Sequence, residues 1–459
     1  MKTSAASTNS QIDVISAVQS SGATSIAEPL AQVKLSTAQH TRSNVCLITS
    51  SPISYNPRAL KEADALAAAG FNVRVVATQH EGWVARWDEV LMATRKWQLN
   101  VARWDHHSLG SKYLRFSSGL RQRLCKRLAK HATFKWRIAE LAYCRLYVRL
   151  LKLACKEPAD LYIAHNPQAL PVACRAAEKT GAAVAFDSED YHIGEFPSDE
   201  QTGLVFELLS YLETKYLPRC SYITAPSEAI SQALARRYGV SQPISIHNVF
   251  AWGDRQGLDG KIKDRRGPAL SLYWYSQVIG LNRGIQDCLR AAALLTMPVQ
   301  IHLRGNVTGE VKAALLKLAG KCGVAERLYF QPIVHPDELL SRAAEHDVGL
   351  ALEQPVNENK FLTVSNKLFL FFLAGLAVAV TDTTGQRGQM ETCPAAGFLY
   401  PPGDYRALAR ELQKLLDEPE LLRKRKAAAL EAAQERWNWE IESQHLVRHV
   451  VSVLSAPNQ

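Results

Sequence analysis

Residues 44–77, NVCLITSSPISYNPRALKEADALAAAGFNVRVVA, indicate the fold class most clearly. The first six residues of this stretch are a β-rich run, and a turn-prone segment follows at 50–57. Residues 58–69 favour a helix that ends at Gly70, and residues 73–77 predict a second strand. A strand, a helix and a strand within about 35 residues form a βαβ unit, which implies a parallel sheet.

The same alternation recurs along the rest of the chain. Further strands are predicted at 161–164, 183–186, 222–225 and 244–248, with helices at 170–180 and 227–238. After a polar stretch, a second set has strands at 270–275, 299–303, 328–330, 348–352 and 377–380, and helices at 284–295, 311–319, 337–345 and 405–434. The pattern predicts an α/β fold of two doubly wound halves, whose ligands bind beyond the carboxyl ends of the strands.

The length of 459 residues favours two domains over one core. We predict a disordered tail at 1–42, a first domain at 43–252 with a basic helical insertion at 106–156, and a linker at 253–267. A second domain is predicted at 268–436, and a helix at 437–459 is expected to pack back on the first domain.

Composition narrows the compartment and the partners. The formal charge of +10 calls for an anionic partner. The nine cysteines form no C-x-x-C pair, which is typical of a reducing compartment. The first residues lack the apolar core of a signal peptide, and the longest apolar run, residues 368–380, is too short to span a bilayer. We therefore expect a cytoplasmic protein and read that run as a buried element.

Familiar catalytic signatures, including the P-loop, the G-x-S-x-G elbow and D-x-D, are absent from the sequence. Polar residues instead follow the predicted strands. In the first half these are His165, Glu189, Asp190, His192 and Asn248. Each has a structural alternative: the acids could cap a helix, and a histidine near a core is often a satisfied core residue.

Two segments of the second half suit an anion. Gly280, Arg283 and Gly284 lie in a glycine-containing turn that precedes a helix, where helix amides and a guanidinium both favour phosphate. Ser365, Asn366 and Lys367 precede another predicted helix and offer a second cation. Two cations facing a diphosphate would stabilise the charge on a departing nucleoside diphosphate. Arg304, at the end of the strand predicted at 299–303, is assigned to the same site.

These segments resemble glycosyltransferase family 4 from about residue 44 to the C-terminus. Residues 56–70 are similar to its Pro-Arg-x-x-Arg/Lys-Glu-Ala opening, and His165-Asn166 and residues 187–190 occupy the places of its His-Asp and Asp-Ser/Ala-His-Glu motifs. Residues 280–284 resemble its donor-phosphate loop, and residues 365–369 resemble its Pro-Asn-Lys-Leu-Phe segment. Residues 401–404 and 437–440 complete the pattern.

The resemblance implies a GT-B fold, in which two Rossmann-like domains face each other across a cleft. It also implies a retaining transfer from a UDP- or GDP-linked sugar, used as substrate, without a metal or other cofactor. Arg283 and Lys367 would hold the donor diphosphate. Glu189, Asp190 and His165 are the catalytic assignments, and Asn56, Arg58, His192 and Asn248 are assigned to the acceptor side.

The sequence departs from the family at two places. Two family glutamates, eight positions apart, correspond to Leu362 and Leu370, so the usual contact to the donor ribose is absent. Glu189 replaces the family's strand-end histidine. These departures imply either a different donor geometry or a loss of activity.

The insertion at 106–156 holds thirteen Lys and Arg and one acid, Glu140. Aromatic residues are interleaved, and apolar residues such as Leu120, Leu124 and Leu128 follow a helical period. Such a surface suits an anionic membrane; the alternative is a solvated helical face packed on the first domain. Nucleic acid is not expected, because no recognised binding module accompanies the charge.

The favoured function is a glycosyltransferase that extends a lipid-linked or polysaccharide acceptor at the inner membrane face. One alternative is a non-catalytic binding protein of the same fold that recruits a membrane glycan-assembly complex. Another is a related enzyme that isomerises or hydrolyses a sugar nucleotide, which would require a pair of carboxylates acting on the donor itself.

Overall fold

The computed structural model describes residues 43–131, 134 and 137–456. The predicted tail at 1–42 lies outside the described residues. The described residues form two compact units. The first contains residues 43–247 and 442–456, and the second contains residues 248–441. The division thus falls before the predicted linker at 253–267, which lies within the second unit.

The first unit is built on a seven-stranded sheet in the order β3-β2-β1-β4-β5-β6-β7, and all its strands are parallel. The strands are β1 Asn44–Thr49, β2 Asn72–Gln79, β3 Gln98–Arg103, β4 Leu161–His165, β5 Ala183–Asp187, β6 Tyr222–Ala225 and β7 Ile244–Ser245. The chain reverses its direction of growth between β1 and β4, so the sheet is doubly wound, as the sequence predicts.

Helices connect these strands. They are α1 Pro57–Ala68, α2 Gly82–Met92, α3 Leu109–His131, α4 Ile138–Tyr143, α5 Tyr147–Ala154, α6 Leu170–Thr180, α7 Leu204–Tyr216 and α8 Glu228–Tyr238. The basic segment 106–156 accounts for α3, α4 and α5 between β3 and β4. Among the described residues, no helix is long and apolar enough to cross a membrane.

Local chemistry explains the βαβ unit. The Asn56 side chain caps α1 by accepting from the amide of Ala59 at 2.9 Å, and Pro57 occupies the first helical position. Gly70 adopts a φ of 96° just after the helix, a conformation open to glycine. Buried residues fill β1 and most of β2. These features place the start of α1 at the carboxyl edge of the sheet.

The second unit is built on a six-stranded parallel sheet in the order β10-β9-β8-β11-β12-β13. The strands are β8 Ser271–Val278, β9 Gln300–Asn306, β10 Leu328–Gln331, β11 Val348–Ala351, β12 Ala377–Thr381 and β13 Gly397–Tyr400. Here the direction of growth reverses between β8 and β11, and the predicted second doubly wound half is confirmed.

The helices of this half are α9 Ile285–Ala292, α10 Gly309–Lys321, α11 Pro336–Ala344, α12 Glu358–Leu362, α13 Asn366–Ala374, α14 Thr384–Glu391, α15 Tyr405–Asp417 and α16 Pro419–Glu435. The last helix of the chain is α17 Trp439–Ser455. The single helical segment predicted at 405–434 is two helices, because Pro419 cannot continue the hydrogen-bond ladder of α15. The division between the units falls within the first turn of α17.

The apolar run at 368–380 is core, as predicted. It supplies most of α13 and β12, which are buried along almost their whole length and meet at Gly375, a glycine with a φ of 71°. Phe371 packs so closely on β11 that a Cβ at Gly349 would lie 2.2 Å from its ring. This packing fixes the start of α13 beside the end of β11.

The last helix completes the first unit. Residues 442–456, which include most of α17, group with the sheet of β1 to β7. Within that unit, the Glu442 carboxylate accepts a hydrogen bond of 3.2 Å from the backbone amide of His247. It also lies 3.0 Å from Nδ1 of the same residue. The end of β7 is therefore tied to the last segment of the chain.

Candidate functional site

The turn between β8 and α9 packs against the end of β11. Gly284 has a φ of 74°, and a Cβ there would lie 2.5 Å from the carbonyl oxygen of Leu352. Only glycine fits such a position, because the backbone is left-handed and the space is closed. The predicted phosphate turn thus lies at the point where the second sheet reverses its direction of growth, the usual ligand position in such folds.

Arg283, next to this glycine, is partly exposed. Its guanidinium has no hydrogen-bond or ion-pair partner within the described residues. Gly280, at the start of the turn, lies beside the aliphatic part of Arg283. An unpaired cation at a glycine turn is available to an anionic ligand.

Lys367, in the first turn of α13, is held by an acid that the sequence reasoning missed. Its Nζ lies 2.7 Å from Oε1 of Glu353, which follows β11, and 3.4 Å from Oγ of Ser365. Ser365 also donates to Glu353 at 3.0 Å. Both charged side chains are nearly buried, so the pair is little screened by water.

The electrostatics of this pair follow from its burial. Burial alone would raise the pKa of Glu353, but the charge and hydrogen bond of Lys367 outweigh it and lower the pKa to about 2. Lys367 also lies over the ring of Trp274, 5.6 Å from its centroid. Glu353 therefore stays ionised and orients the Lys367 ammonium group.

The remaining predicted donor residues, Asn366 and Arg304, lie in different environments. Asn366 is exposed at the first position of α13, beside Lys367. Arg304 is buried in the sheet: its guanidinium donates to the Tyr273 hydroxyl, the Pro332 carbonyl and Asp264. The sequence ended this strand at 303, whereas β9 continues to Asn306, so Arg304 lies inside the sheet instead of in a loop. Its placement supports a structural role, not the assigned donor contact.

In the first unit, His165 is the centre of a buried ionic cluster. Its Nδ1 lies 3.3 Å from Asp187 and 3.2 Å from Glu189, and its Nε2 lies 2.9 Å from Glu62. Burial would lower the pKa of His165, but hydrogen bonding to Asp187, Glu189 and Glu62 outweighs it and raises that pKa well above the usual value. The imidazole is therefore charged and fully buried.

Arg58 adds a second cation to the cluster. Its guanidinium binds both carboxylate oxygens of Asp187, at 2.6 and 2.8 Å, and donates to the carbonyl of Ile246. Thr224 donates to Asp187 at 2.7 Å. Although burial opposes it, the adjacent Arg58 lowers the pKa of Asp187 far below its usual range. Arg58 is thus occupied in the structure by an internal partner.

Glu189 is the cluster member that reaches towards solvent, with 20 % of its side chain exposed. Its backbone φ is 57°, a left-handed conformation that is unusual for glutamate. This conformation directs Oε1 to Asn56, at 2.6 Å, and to His165. Strained residues of this kind concentrate at functional sites.

The donor atoms of this cluster decide whether it could hold a metal ion. Within the described residues, Glu62, His165 and Asp187 are the group whose ligand atoms lie close enough together to hold an ion. However, a metal requires a neutral imidazole, whereas the surrounding carboxylates raise the pKa of His165, and both oxygens of Asp187 are bound by Arg58. The residues present do not fit a metal ion without losing these partners.

The other first-half predictions lie around or outside this cluster. His192 lies 3.7 Å from Glu195. Burial opposes its protonation, yet Glu195 and neighbouring acids raise its pKa to about 9. Asp190 is partly buried just after Glu189, whereas Asn248 begins the second unit. The structure thus brings together His165, Glu189, Asn56 and Arg58.

Three residues of these sites were not assigned from the sequence: Glu62, Asp187 and Glu353. Glu62 lies one helical turn after Arg58 in α1, so both occupy the same face of the helix. Asp187 is the last residue of the buried strand β5, and Glu353 lies just after the buried strand β11; the same signal selected His165. The family positions Leu362 and Leu370 are buried apolar residues at the end of α12 and within α13.

Comparison with known proteins agrees with this architecture. Residues 55–248 match the family described as the glycosyl transferase 4-like domain. No protein with a curated description matches the chain in sequence. Among solved structures, HepE of Anabaena has a TM-score of 0.62 at 13 % identity, with 89 % of this chain and 100 % of HepE covered.

Two further structures share the fold. Sucrose-phosphate synthase of Thermosynechococcus elongatus has a TM-score of 0.62 at 15 % identity and covers 91 % of this chain and 100 % of its own. The lipopolysaccharide outer core galactosyltransferase WaaB has a TM-score of 0.57 at 13 % identity and covers 89 % and 99 %. The predicted fold is confirmed: the chain has the GT-B fold, and its residues 55–248 match the glycosyl transferase 4-like domain.

Proposed function

We propose that this protein is a retaining glycosyltransferase that moves a sugar from a UDP- or GDP-linked donor to a lipid-linked or polysaccharide acceptor in cell-surface glycan synthesis. The observation that carries the proposal is the arrangement of Arg283 and Lys367 at the carboxyl edge of the second sheet. Arg283 is unpaired among the described residues, and Lys367 is oriented by Glu353. The solved structures of HepE with UDP and with UDP-glucose support UDP as the first nucleotide to test.

The donor side needs positive charge when the leaving group departs. During transfer, the bond between the anomeric carbon and the diphosphate oxygen breaks, and negative charge develops on that oxygen. Arg283 and Lys367 would stabilise this charge, because fixed cations act without reorganisation during the reaction. Glu353 and Ser365 accept two of the three ammonium hydrogens of Lys367, which leaves the third for phosphate.

The acceptor side is proposed to use the buried cluster for orientation. His165 is charged and enclosed, so it does not serve as a base. Glu189 makes its contacts to Asn56 and His165 through Oε1, which leaves Oε2 for an acceptor hydroxyl. The new bond forms between that hydroxyl oxygen and the anomeric carbon, and the hydroxyl proton passes to the departing phosphate oxygen. This scheme requires no metal and no protein nucleophile, and we place the reaction in the cytoplasm.

The test is calorimetric titration of the purified protein with UDP, GDP and ADP. Binding of one nucleotide is expected, with at least tenfold weaker affinity in the double variant Arg283→Ala, Lys367→Ala. The double variant Arg327→Ala, Lys414→Ala is the matched control, since it removes the same charge from the same unit at the start of β10 and on α15. Equal binding by all three proteins would sink the assignment of the donor site.

Metal independence is checked with the same protein. Nucleotide binding and sugar transfer are expected to persist in excess EDTA, and restoration of lost transfer by Mg²⁺ would contradict this part of the proposal.

A non-catalytic binding protein is the second candidate, favoured by the burial of Leu362 and Leu370 at the family's glutamate positions. The two candidates separate when the bound nucleotide is supplied as its sugar conjugates. Nucleotide binding followed by release of nucleoside diphosphate in the presence of acceptor supports transfer. Failure of any nucleotide to bind well-folded protein supports the binding protein.

A further inference from the structure

Helix α3 has an unusual distribution of side chains. The residues that it buries are small: Ser111, Ser118, Cys125 and Ala129. They recur at intervals of four and seven positions, so they share one face of the helix. A soluble amphipathic helix normally buries its large apolar residues instead. The large apolar residues of α3 must therefore lie elsewhere.

Apart from the half-buried Leu114, they lie on the outer face. Tyr113 and Phe116 are 73 % and 71 % exposed, and Leu109, Leu120, Leu124 and Leu128 are also exposed. These six residues are three or four positions apart and form a continuous stripe along the helix. With a rotation of about 100° per residue, the stripe lies opposite the small buried residues. We call these six residues the outer stripe.

The charged side chains of α3 are all lysines and arginines, and the helix also contains one histidine. The helix carries seven Lys and Arg and no acid. Within the described residues, none of the seven forms an ion pair with an acid. Lys112, Arg123, Arg127 and Lys130 are exposed, and they lie close to the outer stripe on the helix surface. Unpaired cations beside exposed apolar side chains call for a partner that is both anionic and apolar.

We propose that α3 lies in the plane of an anionic lipid surface, with the outer stripe inserted among the acyl chains and its lysines and arginines at the head groups. A helix of this composition and length lies in the interface, because its charges prevent it from spanning the bilayer. Phosphate-bearing lipid head groups supply the negative charge that the helix lacks.

Other occupants of this face fit the observations less well. A second copy of the chain packed stripe to stripe would bring two sets of unpaired cations together. A nucleic acid would satisfy the cations but would leave Tyr113, Phe116 and the leucines in water. A lipid surface accounts for both features. It would also bring the proposed transferase to a lipid-linked acceptor, although lipid binding does not depend on the donor site.

The experiment is co-sedimentation of the full chain with vesicles of phosphatidylcholine alone or with about one-third phosphatidylglycerol. Binding is expected only with the anionic vesicles and is expected to weaken as salt is raised. The variant Phe116→Ser, Leu120→Ser, Leu124→Ser should bind at least tenfold more weakly with an unchanged melting temperature, because these side chains are already exposed. The variant Leu294→Ser, Met297→Ser, Leu316→Ser is the control, since it removes three similarly exposed apolar side chains from the second unit.

Several results would overturn the proposal. One is equal vesicle binding by the stripe variant and the control variant. Another is equal binding of the unaltered protein to neutral and anionic vesicles. A third is an unaltered protein that binds no vesicles but forms a dimer, where the stripe variant is monomeric. Preferential binding of double-stranded DNA that is insensitive to the stripe variant would also overturn it. UDP titration of the same variants distinguishes the two proposals: unaltered nucleotide affinity with lost vesicle binding separates the membrane surface from the donor site.

Discussion

At the scale of single residues, Glu353 and Lys367 offer a contact whose contribution can be measured apart from nucleotide binding. Both side chains are nearly buried and their charged atoms are 2.7 Å apart. The low pKa of Glu353, about 2, means that the pair is intact at neutral pH. Breaking a buried pair leaves one charge without compensation, which is more costly than removing both.

A double-mutant cycle tests this contact. We expect Lys367→Met to lower the free energy of unfolding by about 3 kcal/mol, because Glu353 would keep only Ser365 as a partner. Glu353→Gln should cost less, and the double variant less than the sum, with a coupling of about 1–3 kcal/mol. Urea denaturation at pH 7 gives the three values. A coupling near zero would mean that Glu353 does not orient Lys367.

Individual residues also show how much of the candidate site the sequence predicts. His165, Glu189, Arg283 and Lys367 could be selected because polar residues after buried strands are conspicuous. Their partners could not, because Glu353 meets Lys367 only once Phe371 has packed α13 against β11. The position of Arg304 inside β9 was not anticipated, because a strand of apolar and polar residues gives no clear end point.

At the scale of elements, the turn between β8 and α9 depends on Gly284 for two separable reasons. Its φ is 74°, and it also leaves no room for a Cβ beside Leu352. Gly181, which follows α6, has nearly the same φ of 75° but open space around it. The two glycines therefore form a matched pair for separating backbone strain from steric overlap.

We expect Gly181→Ala to lower the free energy of unfolding by about 1 kcal/mol through strain alone. Gly284→Ala should cost a further 1–3 kcal/mol, because the new methyl group overlaps the carbonyl of Leu352. It should also weaken nucleotide binding by moving Arg283, whereas Gly181→Ala leaves binding unchanged. Urea denaturation and UDP titration measure both effects. Equal costs for the two substitutions would show that the turn relaxes freely.

The strands and helices differ in how clearly the sequence predicts them. Most strands of the two sheets were predicted, because burial on both faces requires apolar runs. Strands β3 and β13 were missed; both lie at the edge of their sheet, and the residues of β3 are mostly half-buried. The helical character of the basic segment and its suitability for an anionic membrane were predicted. The alternative that it packs on the first domain stayed open, because periodicity does not say which face of a helix is buried.

At the scale of the whole molecule, the second unit contains two buried histidines that resist protonation. His302 is stacked on Tyr329 and lies 4.6 Å, between ring centroids, from His346. Burial, together with nearby arginines, lowers the pKa of His302 to about 4 and contributes to a pKa of about 2 for His346. Both are neutral in the folded unit and become charged more readily when it unfolds.

The sign of the resulting pH dependence is fixed. A histidine whose pKa is lower in the folded protein contributes its full stability above its pKa in the unfolded chain, 6.5. This contribution is lost as the pH falls towards its pKa in the folded protein. Between pH 6.5 and 4.5, we expect His302 alone to account for a loss of about 2 kcal/mol in the free energy of unfolding. His165 and His192, with raised pKa values, stay charged in this window.

The variant His302→Gln measures this contribution. Urea denaturation of the variant should show a shallower decline between pH 6.5 and 4.5 than that of the unaltered protein. Parallel declines would mean that His302 gains its proton without unfolding the unit.

The return of the chain to its first unit has a consequence during protein synthesis. The surface around His247 leaves the ribosome long before Glu442, the residue that closes it. At about 5–20 residues per second, the interval is on the order of 10–40 s. The domain that begins to form first is thus the last to be finished, and premature termination shortly before residue 442 would leave it open even though its sheet had already been made.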